Sequence, residues 1–255
     1  MKILLTNDDG IFSDGLRFLW KYLEKRYKLY VVVPETEKSA TSHSINLSNP
    51  IRVKKIKFNK SFCYLVSGTP VDCVKIGIKE LIKEKIDMVV SGINSGPNLG
   101  MDILYSGTVS AASEGAILGI PSISVSIADY KNFNFKTGAE ITFKIIEKIK
   151  SIKFPKDTIL NINIPNRKMN EIKGIKITYQ SESRFNEEYE KRVDPRGNIY
   201  FWLKGSFNEI KEEEGSDVNA VKNNYVSITP IKLNLTNFNF LKNLRLKGFE
   251  KIVLK

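Results

Sequence analysis

Short apolar runs alternate with helical patterns near the start of the chain. Lys2–Thr6 is an apolar run that ends in a polar cluster, and Leu29–Val33 is a second, β-branched run. Between these runs Leu16, Leu19 and Leu23 recur at helical spacing. A strand, a helix and a second strand in this order are typical of the βαβ unit of a parallel sheet.

The same order continues to about residue 165. The pattern predicts three more helices, over Val71–Lys83, Val109–Leu118 and Phe135–Ile149, and three more buried strands, over Asp87–Val90, Ser122–Ile127 and Thr158–Ile164. Strands that look buried on both faces and alternate with helices indicate an α/β fold with a doubly wound, mostly parallel sheet.

The pattern changes after about residue 170. Ile175–Gln180 and Asn198–Leu203 have the composition of strands, and the polar, turn-rich segment Ser181–Gly197 separates them. We predict that this region forms a long β-hairpin arm. The pattern of Ala220–Thr229 predicts a helix end, a turn and a strand, and that of Phe238–Lys255 a helix followed by a short strand.

Composition narrows the class of protein. The 255 residues are 42% apolar, and no run approaches the roughly 18 apolar residues of a membrane span. Carboxylates interrupt the first apolar run too early for a signal peptide. The two cysteines, Cys63 and Cys73, stand alone in their segments, and we expect both to be free. These features predict a cytoplasmic protein without a membrane partner.

The net charge of +12 raises the possibility of a nucleic-acid partner. However, only 8 of the 40 basic residues are arginine, the residue that base readout favours. The lysines are also spread along the chain instead of forming one cluster. We therefore expect no specific nucleic-acid partner, and instead a positive field that attracts anionic small molecules.

Two adjacent carboxylates follow the first predicted strand, in Thr6-Asn7-Asp8-Asp9-Gly10. The ligand crevice of an open α/β sheet lies at the carboxyl ends of its strands. Neighbouring carboxylates there repel each other and lose hydration, and a divalent cation removes this penalty. Oxygen ligands suit Mg²⁺, Mn²⁺ or Ca²⁺. The alternative interpretation is a solvated Asp-Asp-Gly turn.

Three further segments belong at the same edge of the sheet. Ser91–Gly100 follows a predicted strand and is rich in glycine and asparagine, and Ser39–Ser44 follows another and contains the only histidine, His43. Tyr105–Val109 opens a helix of small residues, whose exposed N–H groups suit an anion. Ordinary N-capping by Ser106 or Thr108 is the alternative for this last segment.

Together these segments predict a site for a cation and a phosphate. Neither a G-x-G-x-x-G fingerprint nor a Walker A lysine loop is present, which argues against a dinucleotide oxidoreductase and a P-loop NTPase. The opening Ile3–Gly10, together with Ser39, the Ser91–Gly100 loop and Tyr105–Val109, resembles the stationary-phase survival protein SurE family of metal-dependent 5′/3′-nucleotidases. The resemblance covers about residues 1–231 and includes Ala220–Pro230.

The resemblance implies one divalent metal ion per subunit, Mg²⁺ or Mn²⁺, held by Asp8, Asp9, Ser39 and Asn94. It also implies a Rossmann-like core, over residues 1–170, and a protruding arm with a swapped C-terminal oligomerisation segment, over residues 171–255 of the same domain. The implied assembly is a homodimer or homotetramer. The implied substrates are nucleoside 5′- and 3′-monophosphates, and for some members also short polyphosphate.

We therefore expect metal-assisted hydrolysis, in which a carboxylate of Asp8 or Asp9 orients a bound water. Alternatively, Asp8 is a covalent nucleophile. His43 either protonates the leaving oxygen, hydrogen-bonds phosphate or is structural. The residues expected to contact the phosphate are Ser44, Asn98, Ser106, Gly107 and Thr108. The alternative functions are a nucleotide- or nucleic-acid-binding module without catalysis and a short-chain polyphosphatase.

Overall fold

A computed structural model of the chain describes residues 1–58, 61–183, 185–207 and 213–252. The strands are β1 (Lys2–Thr6), β2 (Lys28–Pro34), β3 (Val53–Phe58), β4 (Ser61–Val66), β5 (Met88–Ser95), β6 (Ser122–Ala128), β7 (Thr158–Pro165), β8 (Gly174–Ile177), β9 (Phe185–Val193), β10 (Ile199–Phe207) and β11 (Tyr225–Lys232). The α-helices are α1 (Asp14–Leu23), α2 (Pro70–Ile76), α3 (Gly107–Ile117), α4 (Phe135–Ile149), α5 (Asp217–Lys222) and α6 (Phe238–Leu246).

Nine of the described strands form one sheet in the order β3-β4-β2-β1-β5-β6-β7-β11-β8. The six strands from β4 to β7 in this order are parallel, β3 pairs antiparallel with β4, and β11 pairs antiparallel with β7. From β1 the chain first proceeds outward to β2, and it later returns to β5 on the other side of β1. This change of direction opens a crevice at the carboxyl ends of β1 and β5.

The central strands are buried on both faces. On β1, Ile3 and Leu5 share a core with α1 and α4, whereas Leu4 between them packs with Val74 of α2 and Ala111 of α3 on the opposite face. Successive side chains of a strand point to opposite faces, so each apolar residue of β1 serves one of the two cores. The prediction of an α/β fold with a doubly wound sheet is confirmed.

Helix α3 packs unusually close to the sheet. It is buried from Gly107 to Ala116, and a Cβ atom on Gly115 would lie only 2.3 Å from Ser122 Oγ. Small residues are therefore required along this helix, as its composition indicated. Close packing brings the N-terminus of α3 to the crevice edge of β1 and β5 and fixes its position there.

The arm differs in detail from the prediction. The segment expected as its first strand instead supplies β8, which pairs parallel with β11 at the edge of the main sheet. The arm is the antiparallel ribbon of β9 and β10, and all of β9 falls in the segment expected to be a polar connection. Asp194 Oδ1 accepts the backbone N–H groups of Arg196 at 2.8 Å and Asn198 at 2.9 Å, which closes the turn.

Several smaller features also differ from the prediction. The β3–β4 hairpin was not predicted, and the helix expected over Val71–Lys83 ends at Ile76 and continues as one π-helical turn, Gly77–Leu81. Most of the short strand expected after α6 lies outside the described residues. Both cysteines are free and buried. None of the described helices is long and apolar enough to cross a membrane.

Candidate active site

A cavity of about 1010 Å³ opens at the carboxyl ends of β1 and β5. Its lining includes Asp8 and Asp9 from the loop after β1, Ser39 from the loop after β2, and Asn94 and Asn98 from the end of β5 and the loop beyond it. The structure therefore brings together three of the loops that the sequence placed at one edge of the sheet. Ser106, at the start of α3, lines the same cavity.

Asp8 and Asp9 form the acidic centre of this cavity. Asp8 is 4% exposed, and the Thr108 hydroxyl donates a short hydrogen bond to its Oδ1. Burial raises the pKa of Asp8. Burial, followed by the charges of Asp8 and Glu37, raises the pKa of Asp9 to about 6. The solvated-turn interpretation is therefore wrong for Asp8, and no lysine or arginine from the described ranges lines the cavity beside the pair.

The donor atoms around this pair fit a hard divalent cation. Ser39 Oγ donates to Glu37 Oε1 at 2.7 Å, and Asn94 Nδ2 donates to the carbonyl of Gly96 at 2.9 Å. The Asn94 atom that remains for a ligand is the carboxamide oxygen, a donor that Mg²⁺ and Mn²⁺ accept. No group of three or more His, Cys, Asp or Glu within the described ranges is placed to hold a metal ion. The expected metal ligands are Asp8, Asp9, Ser39 and Asn94, and only the two aspartates belong to these residue types.

Asn7 shapes the carboxylate loop and was not identified as a site residue from the sequence. Its Nδ2 donates to the carbonyl of Gly10 at 2.9 Å and to Ser13 Oγ at 2.8 Å. Ser13 in turn caps α1 by accepting from the N–H of Leu16. The loop that carries Asp8 is thereby tied to the start of a helix. The sequence signal that could have identified Asn7 was its position, as a polar residue between the end of β1 and the two carboxylates.

The N-terminus of α3 lies against Asp8. Ser106 caps the helix by accepting from the N–H of Val109 at 3.1 Å, so the N-capping interpretation is confirmed for Ser106. A Cβ atom on Gly107 would lie 3.0 Å from Asp8 Oδ2, and glycine is therefore needed for this close approach. Thr108 is fully buried. The N–H groups at a helix N-terminus suit a phosphate, and here the N–H of Thr108 already contacts the Asp8 carboxylate.

Buried carboxamides hold Asn98 in place. Asn163 Oδ1 accepts from the backbone N–H of Asn98 at 2.9 Å, and the side chains of Asn161 and Asn163 donate to its carbonyl at 2.8 and 2.9 Å. Asn98 Nδ2 donates to Ser126 Oγ at 2.8 Å, so this donor is already engaged within the protein. Sequence reasoning missed Asn161 and Asn163, although two asparagines spaced by two in a buried strand were a visible signal.

His43 and Ser44 do not line the cavity. His43 Nε2 lies 3.1 Å from Glu114 Oε2, and Lys75 Nζ lies 3.3 Å from Glu114 Oε1. The backbone carbonyl of Ser44 accepts from Thr69 Oγ1 at 2.7 Å. Burial opposes the ionised form of Glu114, but the contacts with His43 and Lys75 outweigh it and lower the pKa of Glu114. His43 thus contacts α3, and Ser44 contacts Thr69 at the N-cap of α2.

The rest of the cavity wall is acidic and aromatic. Four further carboxylates line it, from Asp14, Glu37, Asp102 and the arm residue Glu187. Within the described part of the chain, no lysine or arginine lines the cavity. The net charge of +12 is therefore not concentrated at this cavity, and the positive field that we expected to attract anionic small molecules does not come from its described lining.

Five aromatic side chains complete the lining. Phe133 and Phe135 stack with ring centroids 5.3 Å apart, whereas Phe12 and Tyr130 are 80% and 66% exposed. The fifth is Tyr105. Of these five residues the sequence analysis included only Tyr105, in the segment that opens α3, because the positions of the other four share no periodicity or motif.

Comparisons with known proteins agree with this geometry. A family model described as survival protein SurE matches residues 3–187. A protein from Petrotoga mobilis named 5′-nucleotidase SurE is 47% identical over 247 residues, which cover 96% of this chain and 98% of that protein. A protein of the same name from Thermosipho africanus is 46% identical over 254 residues, 99% of this chain and 100% of that protein.

A solved structure shows the same fold. The crystal structure of the SurE protein from Aquifex aeolicus matches with a TM-score of 0.85 at 42% identity, and the match covers 97% of this chain and 100% of that one. The T. africanus match also extends beyond residue 231, where the sequence motifs indicated no resemblance. These matches cover almost the whole chain, and the chain belongs to the SurE survival-protein family.

Proposed function

We propose that this chain is a 5′-nucleotidase, a divalent-metal-dependent phosphomonoesterase that converts nucleoside monophosphates to nucleosides and phosphate. The buried carboxylate pair Asp8–Asp9 beside the N-terminus of α3 is the observation that carries this proposal. Relatives named 5′-nucleotidase at 46% and 47% identity over almost the whole chain support it. Hydrolysis of 3′-monophosphates is part of the same proposal.

Asp8, Asp9, Ser39 and Asn94 would hold one Mg²⁺ or Mn²⁺ ion per subunit. A divalent cation in such a site polarises a phosphate oxygen and lowers the pKa of a bound water. The raised pKa values of both carboxylates support the assignment, because burial disfavours their ionised forms and a bound cation would offset that cost.

The protein's own groups would orient the reactants. The Thr108 hydroxyl holds Asp8 Oδ1, which fixes the carboxylate relative to the helix end. The N–H groups at the start of α3 and the Ser106 hydroxyl would stabilise the negative charge that grows on the phosphate oxygens in the transition state. One of the two carboxylates would orient the attacking water. The hydrogen bonds to the backbone of Asn98 would hold the loop after β5 in place at the cavity wall.

Two proposed roles are less direct. His43 contacts Glu114, and this contact favours a positioning role over the alternatives of a general acid or a phosphate ligand. Ser44 contacts the start of α2 through its carbonyl, and any phosphate contact would need its side chain. An Asp8 phosphoaspartate is the rival mechanism, and the engagement of Asp8 by Thr108 disfavours it.

The proposed assembly is a homodimer or homotetramer in the cytoplasm. Residues 171–255 would supply the subunit contacts through the arm and the C-terminal segment. Exposed apolar side chains on the ribbon, including Tyr189, Phe201 and Trp202, support this proposal. Two free, buried cysteines are consistent with a reducing compartment.

Phosphate release tests the proposed function. Protein stripped with EDTA should release no phosphate from AMP, and added Mn²⁺ or Mg²⁺ should restore release. Saturable AMP binding without release at any metal concentration would instead favour a non-catalytic nucleotide-binding module. A kcat/KM for tripolyphosphate above that for AMP would assign polyphosphatase as the main activity.

A further inference from the structure

Asp217 is a fully buried carboxylate that the proposed mechanism does not use. It is the first residue of α5. Its Oδ1 accepts from the backbone N–H groups of Ser181 at 3.0 Å and Val218 at 2.8 Å, and its Oδ2 accepts from the N–H of Gly100 at 3.0 Å. A buried carboxylate is costly unless its oxygens accept hydrogen bonds, so the segments that supply these donors are held in place around it.

These hydrogen bonds join segments that are far apart in the chain. Gly100 is 117 positions from Asp217 and ends the loop after β5, whereas Ser181 lies at the base of the arm, before β9. The backbone continues the same junction, because the N–H of Met101 donates to the carbonyl of Ser183 at 3.0 Å. Asp217 thus binds the base of the arm to the segment that follows the β5 loop.

The two backbones at this junction approach too closely for a side chain at position 100. A Cβ atom on Gly100 would lie 2.7 Å from the carbonyl oxygen of Ser183, and Gly100 has a φ of +53°. Glycine adopts this conformation without the steric cost that other residues carry. The segment that begins at Gly100 is therefore placed by the arm base together with Asp217.

That segment leads into the proposed phosphate site. The 3₁₀ turn Gly100–Leu104 is followed by Tyr105 and by Ser106, which caps α3. The loop after β2 is also tied to it, because Ser42 Oγ donates to the carbonyl of Leu104 at 2.6 Å and the N–H of Ser42 donates to that of Tyr105 at 3.0 Å. A displacement at the start of the turn is thereby passed to groups proposed to contact the phosphate.

We propose that Asp217 is a positioning residue for hydrolysis, an assignment that rests on the proposed function. Through its hydrogen bond to Gly100 it holds the turn that ends at Ser106, and it thereby aligns the Ser106 hydroxyl with the phosphate oxygens of the transition state. Groups that stabilise charge growing in the transition state affect turnover more than binding, and a small misplacement of such groups slows a reaction. Loss of this contact should therefore lower kcat more than it raises KM.

Asp217→Asn breaks one of these contacts selectively. The single carboxamide oxygen can stay with the two N–H groups that Oδ1 accepts, and the NH₂ group then faces the N–H of Gly100. Asp72→Asn is the matched control. Asp72 is also buried and accepts from the backbone N–H groups of Asn46 and Thr69, but it does not line the active-site cavity.

The measurements are kcat and KM for AMP, the melting temperature, the mass by light scattering and the Mn²⁺ affinity by calorimetry. Asp217→Asn should lower kcat by about tenfold or more and change KM by less than about threefold. Its mass and Mn²⁺ affinity should match those of wild type, because the arm base, Asp8 and Asp9 keep their contacts. Asp72→Asn should also lower the melting temperature, because it leaves a buried N–H without an acceptor, and should keep kcat within about twofold of wild type.

Gly100→Ala tests the same contact from its other side, also where Asp217→Asn does not fold. The added Cβ meets the carbonyl of Ser183 and displaces the turn. It should lower kcat in the same way, and the two losses should be less than additive in the double variant, because both act through one contact.

The outcomes separate this inference from the proposed function. Phosphate release from AMP with an unchanged kcat in Asp217→Asn and in Gly100→Ala would overturn the inference alone. A reduced mass in Asp217→Asn, with kcat restored at protein concentrations that restore the mass, would also overturn it and would assign Asp217 to subunit assembly. No phosphate release by wild type at any Mn²⁺ concentration would overturn the proposed function, and this inference with it.

Discussion

Asn163 of β7 binds both backbone groups of Asn98. Its Oδ1 accepts from the N–H and its Nδ2 donates to the carbonyl, each at 2.9 Å. Asn163 is fully buried, and it is separated from Asn98 by 65 positions in the sequence. A side chain in the middle of the sheet thus sets the backbone of a loop that lines the active-site cavity. The carboxamide supplies one donor and one acceptor, and both are needed.

Asn163→Asp should damage the site although its shape is almost unchanged. The carboxylate still accepts from the N–H of Asn98, but its second oxygen faces the carbonyl where a donor was. A buried charge facing an acceptor costs about 2–4 kcal/mol of unfolding free energy. We expect kcat to fall by more than tenfold with a smaller change in KM, as measured by denaturant unfolding and AMP kinetics. Asn239→Asp, on an exposed face of α6, is the control.

Removing one of the paired carboxylates should stabilise the metal-free protein while it abolishes hydrolysis. The fold raises the pKa of Asp9 to about 6, so the ionised side chain is less favourable in the folded state than in the unfolded chain. Asp9→Asn removes this charge. At pH 7.5 in EDTA we expect the melting temperature to rise by about 2–4 °C, which corresponds to about 1 kcal/mol.

The pH dependence gives the sign of this effect. A raised folded pKa means that wild-type stability is fully present below the ordinary pKa near 4 and is lost as the pH rises through 6. Wild type and Asp9→Asn should therefore have similar melting temperatures near pH 4 and diverge between pH 4 and 6. Saturating Mn²⁺ should reverse the order at pH 7.5, because only wild type gains binding energy. Equal responses of both proteins to Mn²⁺ would argue against Asp9 as a ligand.

The core of the fold and the position of the crevice were predictable from the sequence. The inner strands β1, β2 and β5 contain short apolar runs, and helices α1 and α4 have clear helical periodicity. Once this order is recognised, parallel pairing brings the ends of β1 and β5 together. The proximity of Asp8 and Asn94 to one cavity follows from that topology alone.

The parts of the fold and of the site that the sequence analysis did not predict depend on contacts between residues far apart in the chain. Strand β9 is polar because solvent reaches its sides, and a polar strand has the composition of a loop, whereas the apolar β10 was predicted as a strand. The pairing of Asn163 with Asn98 depends on the register of β7 beside β6. The acidic and aromatic wall combines residues from four loops, from the first residues of α1 and α4, and from the arm, and no sequence pattern relates Phe12 to Glu187.

His43→Asn should retain most of the activity. The imidazole contacts Glu114 and lies outside the cavity lining, and an asparagine amide at this position can also donate to a carboxylate. We expect kcat to fall by less than tenfold and the shape of the pH–rate profile to be unchanged. A general acid would contribute about 10²–10⁴-fold, so a loss of that size with a changed acid or basic limb would restore the general-acid role.

The net charge of +12 should give only weak binding of double-stranded DNA. Lysines outnumber arginines by 32 to 8, and the cavity wall carries carboxylates instead of cations. Binding should be sequence-independent and should weaken steeply between about 0.05 and 0.2 M salt, as counterion release requires. Fluorescence anisotropy with two unrelated duplexes measures this, and submicromolar binding that differs between the duplexes at about 0.15 M salt would contradict it.

The arm should hold subunits together. A two-stranded ribbon is marginally stable alone in water, yet β9 and β10 expose Tyr189, Phe201 and Trp202, of which the last two are each 58% exposed. Burial of these side chains against a second subunit would remove that apolar surface from water. The edge strand β8, with Ile175 and Ile177 exposed, presents further apolar surface nearby in sequence.

Replacing residues 185–207 with a short Gly-Ser turn tests this role without disturbing the base of the arm. Ser181 and Ser183 are buried, and the N–H of Ser181 donates to Asp217 Oδ1 at 3.0 Å, so both serines stay in the variant. Light scattering should give wild type a mass of at least twice 29.0 kDa and the variant a smaller one. Calorimetry should still detect Mn²⁺ binding in the variant, because Asp8, Asp9 and Asn94 are unchanged. A wild-type mass near 29.0 kDa at micromolar concentration would refute the oligomer, and the exposed rings would then belong to another contact.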